Sequence, residues 1–156
     1  MTAALTREPE HYWGVPDLLL GGEWAPPYLD WLDYRGVTIL VNLTERRYRD
    51  RRFRVFQIPI RDGGVPEPEQ IRRFCRIVRR AARDGERVYA HCLAGCGRTG
   101  TMIACYLVYR YRLDADAAVA RVRALRPCSI ETDGQEEAVA EWALLMEEVG
   151  YRLTDA

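Results

Sequence analysis

The 156-residue chain lacks several features that mark other classes of protein. It contains no lysine, so its 23 basic residues are all arginine, and 23 acidic residues balance them to a net charge of zero. It has no run of about 18 or more apolar residues, which excludes a transmembrane helix, and Met1–Arg7 lacks the apolar core of a signal peptide. It also has no internal repeat and no low-complexity linker. We therefore expect a cytoplasmic protein that forms one domain over residues 1–156, with a core of about 13–149.

The number of cysteines, five, is odd. A disulfide framework uses cysteines in pairs, so the odd number favours free thiols and a reducing compartment. A zinc site built from His91, Cys92 and Cys96 is a structural alternative, but the paired outer ligands of a zinc finger are missing. We therefore expect no bound metal.

Charge is unevenly distributed along the chain although the total is zero. Residues 45–98 carry 15 arginines and seven acidic residues, whereas residues 131–156 carry one arginine and eight acidic residues. The cluster Arg46–Arg52 either steers an anionic substrate toward a pocket or is a solvated loop. No known nucleic-acid-binding module accompanies the basic run, so we expect no nucleic-acid partner.

Apolar periodicity predicts strands that alternate with helices. Short apolar or alternating runs predict four strands, at Leu18–Leu20, Val37–Val41, Phe53–Ile58 and Val88–Ala90. Helical periodicity, with its start and stop residues, predicts five helices, at Tyr28–Arg35, Pro66–Arg83, Thr99–Tyr111, Asp114–Leu125 and Gly134–Val149. The third of these helices is apolar around most of its circumference, which indicates a central, buried position. The order predicts an α/β fold, in which a sheet is flanked by helices.

The segment His91–Gly100 carries the strongest functional signal. Between an apolar strand and an apolar helix it places a cysteine, a five-residue loop, an arginine and a hydroxyl. Such a loop can turn its backbone N–H groups inward around a phosphate, and the start of the helix adds the positive end of its dipole. The predicted phosphate-binding residues are Leu93, Ala94, Gly95, Cys96, Gly97 and Arg98.

Three side chains of this segment suit an attack on a phosphate ester. Arg98 can hold two phosphate oxygens with its planar guanidinium, a geometry that lysine cannot supply. The field of the loop favours the thiolate of Cys92, which is the nucleophilic form. The hydroxyl of Thr99 is placed to donate a hydrogen bond to that sulfur. The segment therefore predicts a thiolate phosphatase.

The pattern His-Cys-x5-Arg-Thr-Gly resembles the signature of the cysteine-dependent protein tyrosine phosphatase superfamily. Ile58–Pro66 resembles its general-acid loop, Arg126–Thr132 followed by Gln135 resembles a downstream active-site loop, and Gly22–Leu43 resembles the N-terminal strands. The match is to the small atypical dual-specificity phosphatases. It implies a central, mostly parallel sheet of four to five strands flanked by helices.

The resemblance also implies a role for each matching residue. Asp62 is the general acid, which gives a proton to the leaving alcohol and later takes one from the attacking water. His91 orients and polarises the neighbourhood of Cys92, and Gln135 positions the attacking water. The implied catalytic residues are Cys92, Arg98, Asp62, Thr99, His91 and Gln135. No metal or organic cofactor is implied, because the loop, the arginine and the helix dipole already balance the phosphate charge.

Two cysteines depart from the family pattern. Cys128 stands where the related loop usually has glycine, and Cys96 stands inside the phosphate loop. Either could form a disulfide with Cys92 and protect the reactive thiolate from over-oxidation. The alternative that we favour for both is packing as a small apolar side chain.

These observations predict a phosphomonoester hydrolase that acts through a cysteinyl-phosphate intermediate on a phosphorylated protein or a small phosphate ester. Phosphotyrosine and aryl phosphates are expected to be favoured. A phosphoinositide phosphatase is the alternative, although the neutral side chains of the loop argue against polyanionic substrates. An arsenate reductase would need Cys96 or Cys128 as a resolving thiol, and an inactive phosphate-binding module would have no use for Asp62. We expect a monomer that does not insert into a membrane.

Overall fold

A computed structural model of the chain describes residues 7–153. The strands within these residues are β1 (Tyr12–Val15), β2 (Leu19–Gly22), β3 (Val37–Asn42), β4 (Arg54–Gln57) and β5 (Arg87–His91). The α-helices are α1 (Leu29–Tyr34), α2 (Pro68–Arg83), α3 (Gly97–Tyr111), α4 (Ala115–Leu125) and α5 (Asp133–Val149). A short 3-10 turn, Pro26–Tyr28, precedes α1.

The five strands form one sheet in the order β1-β2-β5-β3-β4. Only β1 is antiparallel to its neighbour, so the predicted α/β fold with a mostly parallel sheet of four to five strands is confirmed. The register pairs the last residues of the parallel strands, Gly22 with His91, His91 with Asn42, and Asn42 with Gln57. The segments that leave these strand ends therefore start side by side at one edge of the sheet, where α/β proteins bind ligands.

Alternate side chains of the central strands pack into two layers. Val88 and Ala90 of β5 face a large core that includes α2, α3, α4 and α5, whereas Tyr89 faces a smaller cluster under α1. Helix α3 is buried from Gly97 to Val108, which confirms the predicted central position. No helix of the described segment is both long enough and apolar enough to cross a membrane.

The predicted elements are all present, with shifts at their ends. Helix α2 begins at Pro68 rather than Pro66, because Glu67 and Gln70 form a reciprocal capping box there. Strand β2 runs on to Gly22, where a Cβ atom would overlap the ring of Tyr89. Strand β1 was not predicted, because four residues that include Gly14 give no clear alternation.

Candidate active site

The phosphate loop connects β5 to α3 and is held on two sides. The backbone N–H of Trp24 donates to the Leu93 carbonyl at 2.9 Å. The Arg126 guanidinium donates to the Ala94 carbonyl at 3.0 Å. Gly95 has φ +73°, and a Cβ atom there would lie 2.6 Å from the carbonyl carbon of Gly22. The loop therefore needs glycine at residue 95, both for the backbone angle and for its close approach to β2.

Arg98 lies between the phosphate loop and the general-acid loop. Its Nη1 donates to the Ile60 carbonyl at 2.9 Å, and its Nη2 lies 3.6 Å from Oδ1 of Asp62. The Arg98 side chain is 7% exposed whereas that of Asp62 is 81% exposed. Within residues 7–153 no hydrogen bond uses Nε or Nη2 of Arg98, which is the edge of the guanidinium that can grip two phosphate oxygens. The structure thus brings Arg98 and Asp62 together at one site.

Cys92, the candidate nucleophile, is a free cysteine at the start of this loop and is 3% exposed. Thr99 lies in the first turn of α3 and is fully buried. Its hydroxyl has no hydrogen-bond partner within the described residues. Buried hydroxyls usually have a hydrogen-bond partner, so one without a partner calls for an explanation. The Thr99 hydroxyl is available to donate to a sulfur or a phosphate oxygen.

His91 is completely buried at the end of β5. Burial, reinforced by the charge of Arg98, lowers its pKa to about 4. Its Nδ1 lies 3.0 Å from the Cys92 carbonyl, which can only accept, so Nδ1 carries the proton of the neutral ring. Nε2 is then an acceptor, and the Tyr48 hydroxyl, 2.7 Å away, donates to it. Burial also raises the pKa of Tyr48, which keeps this hydroxyl protonated.

Tyr48 is a site residue that sequence reasoning missed. It lies inside the arginine cluster Arg46–Arg52, for which the sequence indicates only a steering role or a solvated loop. Its ring packs edge-on against Trp24, whose indole also lies under the Arg46 guanidinium at 4.9 Å. The signal available in the sequence is a single aromatic residue among arginines, and this pattern does not reveal a half-buried ring that contacts His91.

Gln135 lies at the start of α5 and is fully buried. Its Oε1 accepts from the backbone N–H groups of Glu131 and Thr132 at 2.9 and 3.3 Å, and its Nε2 donates to the Gly64 carbonyl at 3.1 Å. Gln135 therefore joins α5 to the general-acid loop. Its role in positioning water stays a prediction.

Glu131 is a second residue that sequence reasoning missed. Its Oε1 accepts the backbone N–H of Gly97 at 3.0 Å, so a carboxylate caps the start of α3 from the downstream loop. A Cβ atom on Gly97 would overlap this carboxylate. The spacing of 34 residues between Glu131 and Gly97 gives no local sequence signal for the contact.

The expectations for Cys96 and Cys128 were wrong. The two residues form a disulfide with each other, with a Cα–Cα distance of 5.2 Å. Neither is joined to Cys92, and neither packs as a free thiol. The bond ties the phosphate loop to the downstream loop. The disulfide also contradicts the expectation that all the thiols are free. Because disulfides are rare in reducing compartments, the free thiols no longer argue for such a compartment.

Comparisons with known proteins find similar phosphatases. A family model described as "Polymorphic toxin system, DSP-PTPase phosphatase" matches residues 23–112. Mouse (Mus musculus) "Protein tyrosine phosphatase domain-containing protein 1" is 45% identical over 82 residues, which cover 53% of this chain and 11% of that protein. Mouse "Dual specificity protein phosphatase CDC14B" is 31% identical over 132 residues, which cover 80% of this chain and 26% of that protein.

The chain is also similar to a solved structure. The crystal structure of Tk-PTP in the active form aligns with a TM-score of 0.75 at 29% identity and covers 81% of this chain and 91% of that chain. Because the family model matches more than half of its residues, the chain belongs to the DSP-PTPase phosphatase family. The matched region spans only 10–12% of the first curated relatives, which are much longer proteins.

Proposed function

We propose that the protein hydrolyses phosphomonoesters through a cysteinyl-phosphate intermediate on Cys92. The observation that carries the proposal is the juxtaposition at the end of β5, where a loop that starts at Cys92 closes on the buried guanidinium of Arg98. The exposed carboxyl of Asp62 lies 3.6 Å from that guanidinium. A nucleophile, a phosphate binder and a proton donor therefore share one opening at the edge of the sheet.

In the first half-reaction, the thiolate of Cys92 attacks the phosphorus atom and the bond to the ester oxygen breaks. The protonated carboxyl of Asp62 gives its proton to the leaving alcohol or phenol. Arg98 and the backbone N–H groups of the loop stabilise the charge on the transferred phosphoryl group. The products of this step are the free alcohol, phosphocysteine and an ionised Asp62.

In the second half-reaction, a water molecule attacks the phosphocysteine and loses a proton to the Asp62 carboxylate. The bond between sulfur and phosphorus breaks, and inorganic phosphate leaves. The unpartnered hydroxyl of Thr99 donates to the departing sulfur and stabilises it as a thiolate. Cys92 and protonated Asp62 are thereby restored, so one residue serves as acid and as base.

We propose aryl phosphates and phosphotyrosine as the favoured substrates. The exposed side chains of the loop, Leu93 and Ala94, are neutral, and Leu93 is 52% exposed. These side chains favour an aromatic group over a second phosphate beside the reacting one. Comparable rates on tri-phosphorylated inositides would favour the phosphoinositide phosphatase instead.

The test is hydrolysis of para-nitrophenyl phosphate in EDTA over roughly pH 5–8, the range around neutral pH in which general acid–base catalysis operates. We expect wild-type protein to turn over and Cys92→Ser to be inactive. Cys75→Ala is the matched control, because it removes a buried cysteine of the core rather than the one in the loop. Activity that survives in Cys92→Ser, or that EDTA abolishes, would reject the mechanism.

The general-acid role has its own test. We expect Asp62→Asn to slow hydrolysis more for alkyl phosphates than for aryl phosphates, because a good leaving group needs less protonation. An equal loss for both kinds of ester would remove Asp62 from this role. The cytoplasmic location and the monomeric state stay predictions.

A further inference from the structure

A basic groove lies between β4 and α2, separate from the phosphate loop. It has a volume of about 490 Å³. Four arginines line it, together with the apolar side chains of Phe56 and Ile77 and the acidic residues Asp84 and Glu86. The four arginines are Arg54, Arg73, Arg76 and Arg80. We call this feature the β4–α2 groove.

The charge of the groove comes mainly from one face of α2. Arg73, Arg76 and Arg80 follow one another at spacings of three and four, so they form one stripe along the helix. Like charges at these spacings repel one another, and this stripe contains no acidic residue. Arg54 is paired with Glu86, whereas the exposed side chain of Arg80 makes no hydrogen bond or ion pair within the described residues. The groove therefore keeps an excess of positive charge.

We propose that the β4–α2 groove docks an acidic, extended peptide segment of a phosphorylated protein substrate. That the docked segment belongs to a substrate rests on the proposed phosphatase function. That the groove binds an acidic peptide does not rest on it. The groove complements such a segment in charge and in chemistry, because its exposed arginines can meet carboxylates and its half-buried Phe56 and Ile77 offer apolar contacts for one side chain.

The dimensions of the groove match an extended chain. The stripe from Arg73 to Arg80 spans about 10 Å along the helix at 1.5 Å per residue. Side chains two residues apart in an extended peptide lie about 7 Å apart on the same side. Two carboxylates on alternate residues can therefore meet successive arginines while the residue between them points elsewhere.

The groove is connected to the active site by a short piece of chain. Gln57 ends β4, and its carbonyl accepts from Arg73 Nη1 at 2.7 Å. Asp62 follows five residues later, so the two Cα atoms are at most about 18 Å apart. A segment docked in the groove needs only a tether of about five residues to bring a phosphorylated side chain to the phosphate loop.

The direct test uses a fluorescein-labelled peptide of about eight residues that alternates glutamate with leucine, and a second peptide with glutamine in place of glutamate. We expect the acidic peptide alone to bind saturably by fluorescence anisotropy and to bind more weakly as salt rises. Arg80→Glu should weaken binding about tenfold or more, and Arg80→Gln should weaken it less. Arg121→Glu is the matched control, because Arg121 is an exposed arginine on α4.

The proposal is overturned if Arg80→Glu and Arg121→Glu bind the acidic peptide equally, or if the glutamine peptide binds as well as the acidic one. It is also overturned if a single-stranded oligonucleotide of matched charge binds more tightly than the peptide, which would assign the groove to nucleic acid. Peptide binding requires no turnover. Intact binding by a protein that cannot hydrolyse para-nitrophenyl phosphate would therefore reject the proposed function alone.

A kinetic test connects the groove to catalysis. A phosphotyrosine joined to the acidic peptide by about five residues should have a lower KM than the same phosphotyrosine joined to the glutamine peptide. We expect this advantage to disappear in Arg80→Glu and to persist in Arg121→Glu. An advantage that Arg80→Glu leaves intact would contradict docking in the groove.

Discussion

The side chains of Tyr48 and His91 are hydrogen-bonded next to Cys92, the candidate nucleophile, and this contact fixes which nitrogen of His91 carries the proton. The Tyr48 hydroxyl donates to His91 Nε2, and His91 Nδ1 donates to the Cys92 carbonyl. Because the ring is neutral, each of its nitrogens has one role, and the two bonds together fix its tautomer and its orientation. The loop segment around residue 48 is thus part of the candidate active site.

Removal of the Tyr48 hydroxyl tests this relay. Tyr48→Phe leaves the buried Nε2 of His91 without a donor, which should lower the free energy of unfolding by about 1–3 kcal/mol. We expect kcat for para-nitrophenyl phosphate to fall about tenfold, because the loop loses part of its support. The measurements are urea unfolding and steady-state kinetics. Tyr34→Phe is the control, because Tyr34 is 75% exposed. Equal behaviour of the two variants would remove Tyr48 from the site.

The residues of the site differ in how far sequence could predict them. Cys92, Arg98 and Thr99 lie within one short segment, so their spacing alone places them around one loop. The structure places Asp62 Oδ1 3.6 Å from Arg98 Nη2, and the role of Asp62 as general acid stays a prediction. Tyr48 could not be predicted in this way, because its contact with His91 depends on the path of an irregular loop across 43 residues of sequence.

At the scale of elements, the phosphate loop depends on a glycine that has no room for a side chain. Gly95 and Gly36 have similar backbone angles, φ +73° and +80°, but only Gly95 lies against another backbone segment. A side chain at either residue pays a similar cost for the left-handed conformation, about 1 kcal/mol. Only at residue 95 must the loop also move away from β2.

We therefore expect Gly36→Ala to lower the free energy of unfolding by about 1 kcal/mol and to keep full activity. Gly95→Ala should lose more stability and about a hundredfold in kcat, because displacement of the loop misplaces the nucleophile. Denaturant unfolding and para-nitrophenyl phosphate kinetics on both variants check this. Full activity in Gly95→Ala would show that catalysis does not depend on the close contact between the loop and β2.

The Cys96–Cys128 disulfide is the second constraint on this loop. It links residues 32 apart in the sequence, and a loop of that length is expected to contribute about 3–4 kcal/mol to the free energy of unfolding. Cys128→Ser should lose about this amount, and a thiol reductant should have the same effect on wild type but none on the variant. A thiol titration of unfolded, unreduced wild type should find the three free cysteines, Cys75, Cys92 and Cys105. Five thiols would contradict the bond.

The disulfide and β1 are the two structural features at this scale that could not be predicted from the sequence. Helices and buried strands were predicted to within a few residues, because their periodicity and caps are local. The pairing of Cys96 with Cys128 depends on the fold of the segments between them, and β1 depends on its pairing with β2.

At the scale of the whole molecule, burial of neutral His91 ties folding stability to pH. Its pKa is about 4 in the folded protein, against an ordinary value of 6.5. The unfolded chain therefore binds a proton between these values that the folded protein does not bind. The contribution to stability is complete above about pH 6.5 and is lost as the pH falls toward about 4, by roughly 3 kcal/mol in all.

We expect the free energy of unfolding of wild type to fall over this range more steeply than that of His91→Gln, which lacks the titrating ring. Urea unfolding at a series of pH values measures both slopes. His11→Gln is the control, because His11 is exposed and lies outside the site. Parallel slopes for wild type and His91→Gln would show that His91 takes up its proton equally in both states.

The fold class was the part of the whole molecule that the sequence predicted best. The alternation of apolar strands and amphipathic helices, with the match to a known family, led to the mostly parallel sheet that the structure contains. The β4–α2 groove was not predicted, because its arginines come from a strand and a helix that only the fold brings together.

The central claim is that phosphate passes through Cys92, and trapping the intermediate tests it most directly. Asp62→Asn, mixed with para-nitrophenyl phosphate and quenched in acid, should accumulate phosphoenzyme, because an aryl leaving group needs little acid whereas the attacking water still needs the base. We predict that peptide mass spectrometry will place the phosphate on Cys92 and nowhere else. Turnover without a phosphorylated Cys92, or phosphate on another residue, would contradict the account.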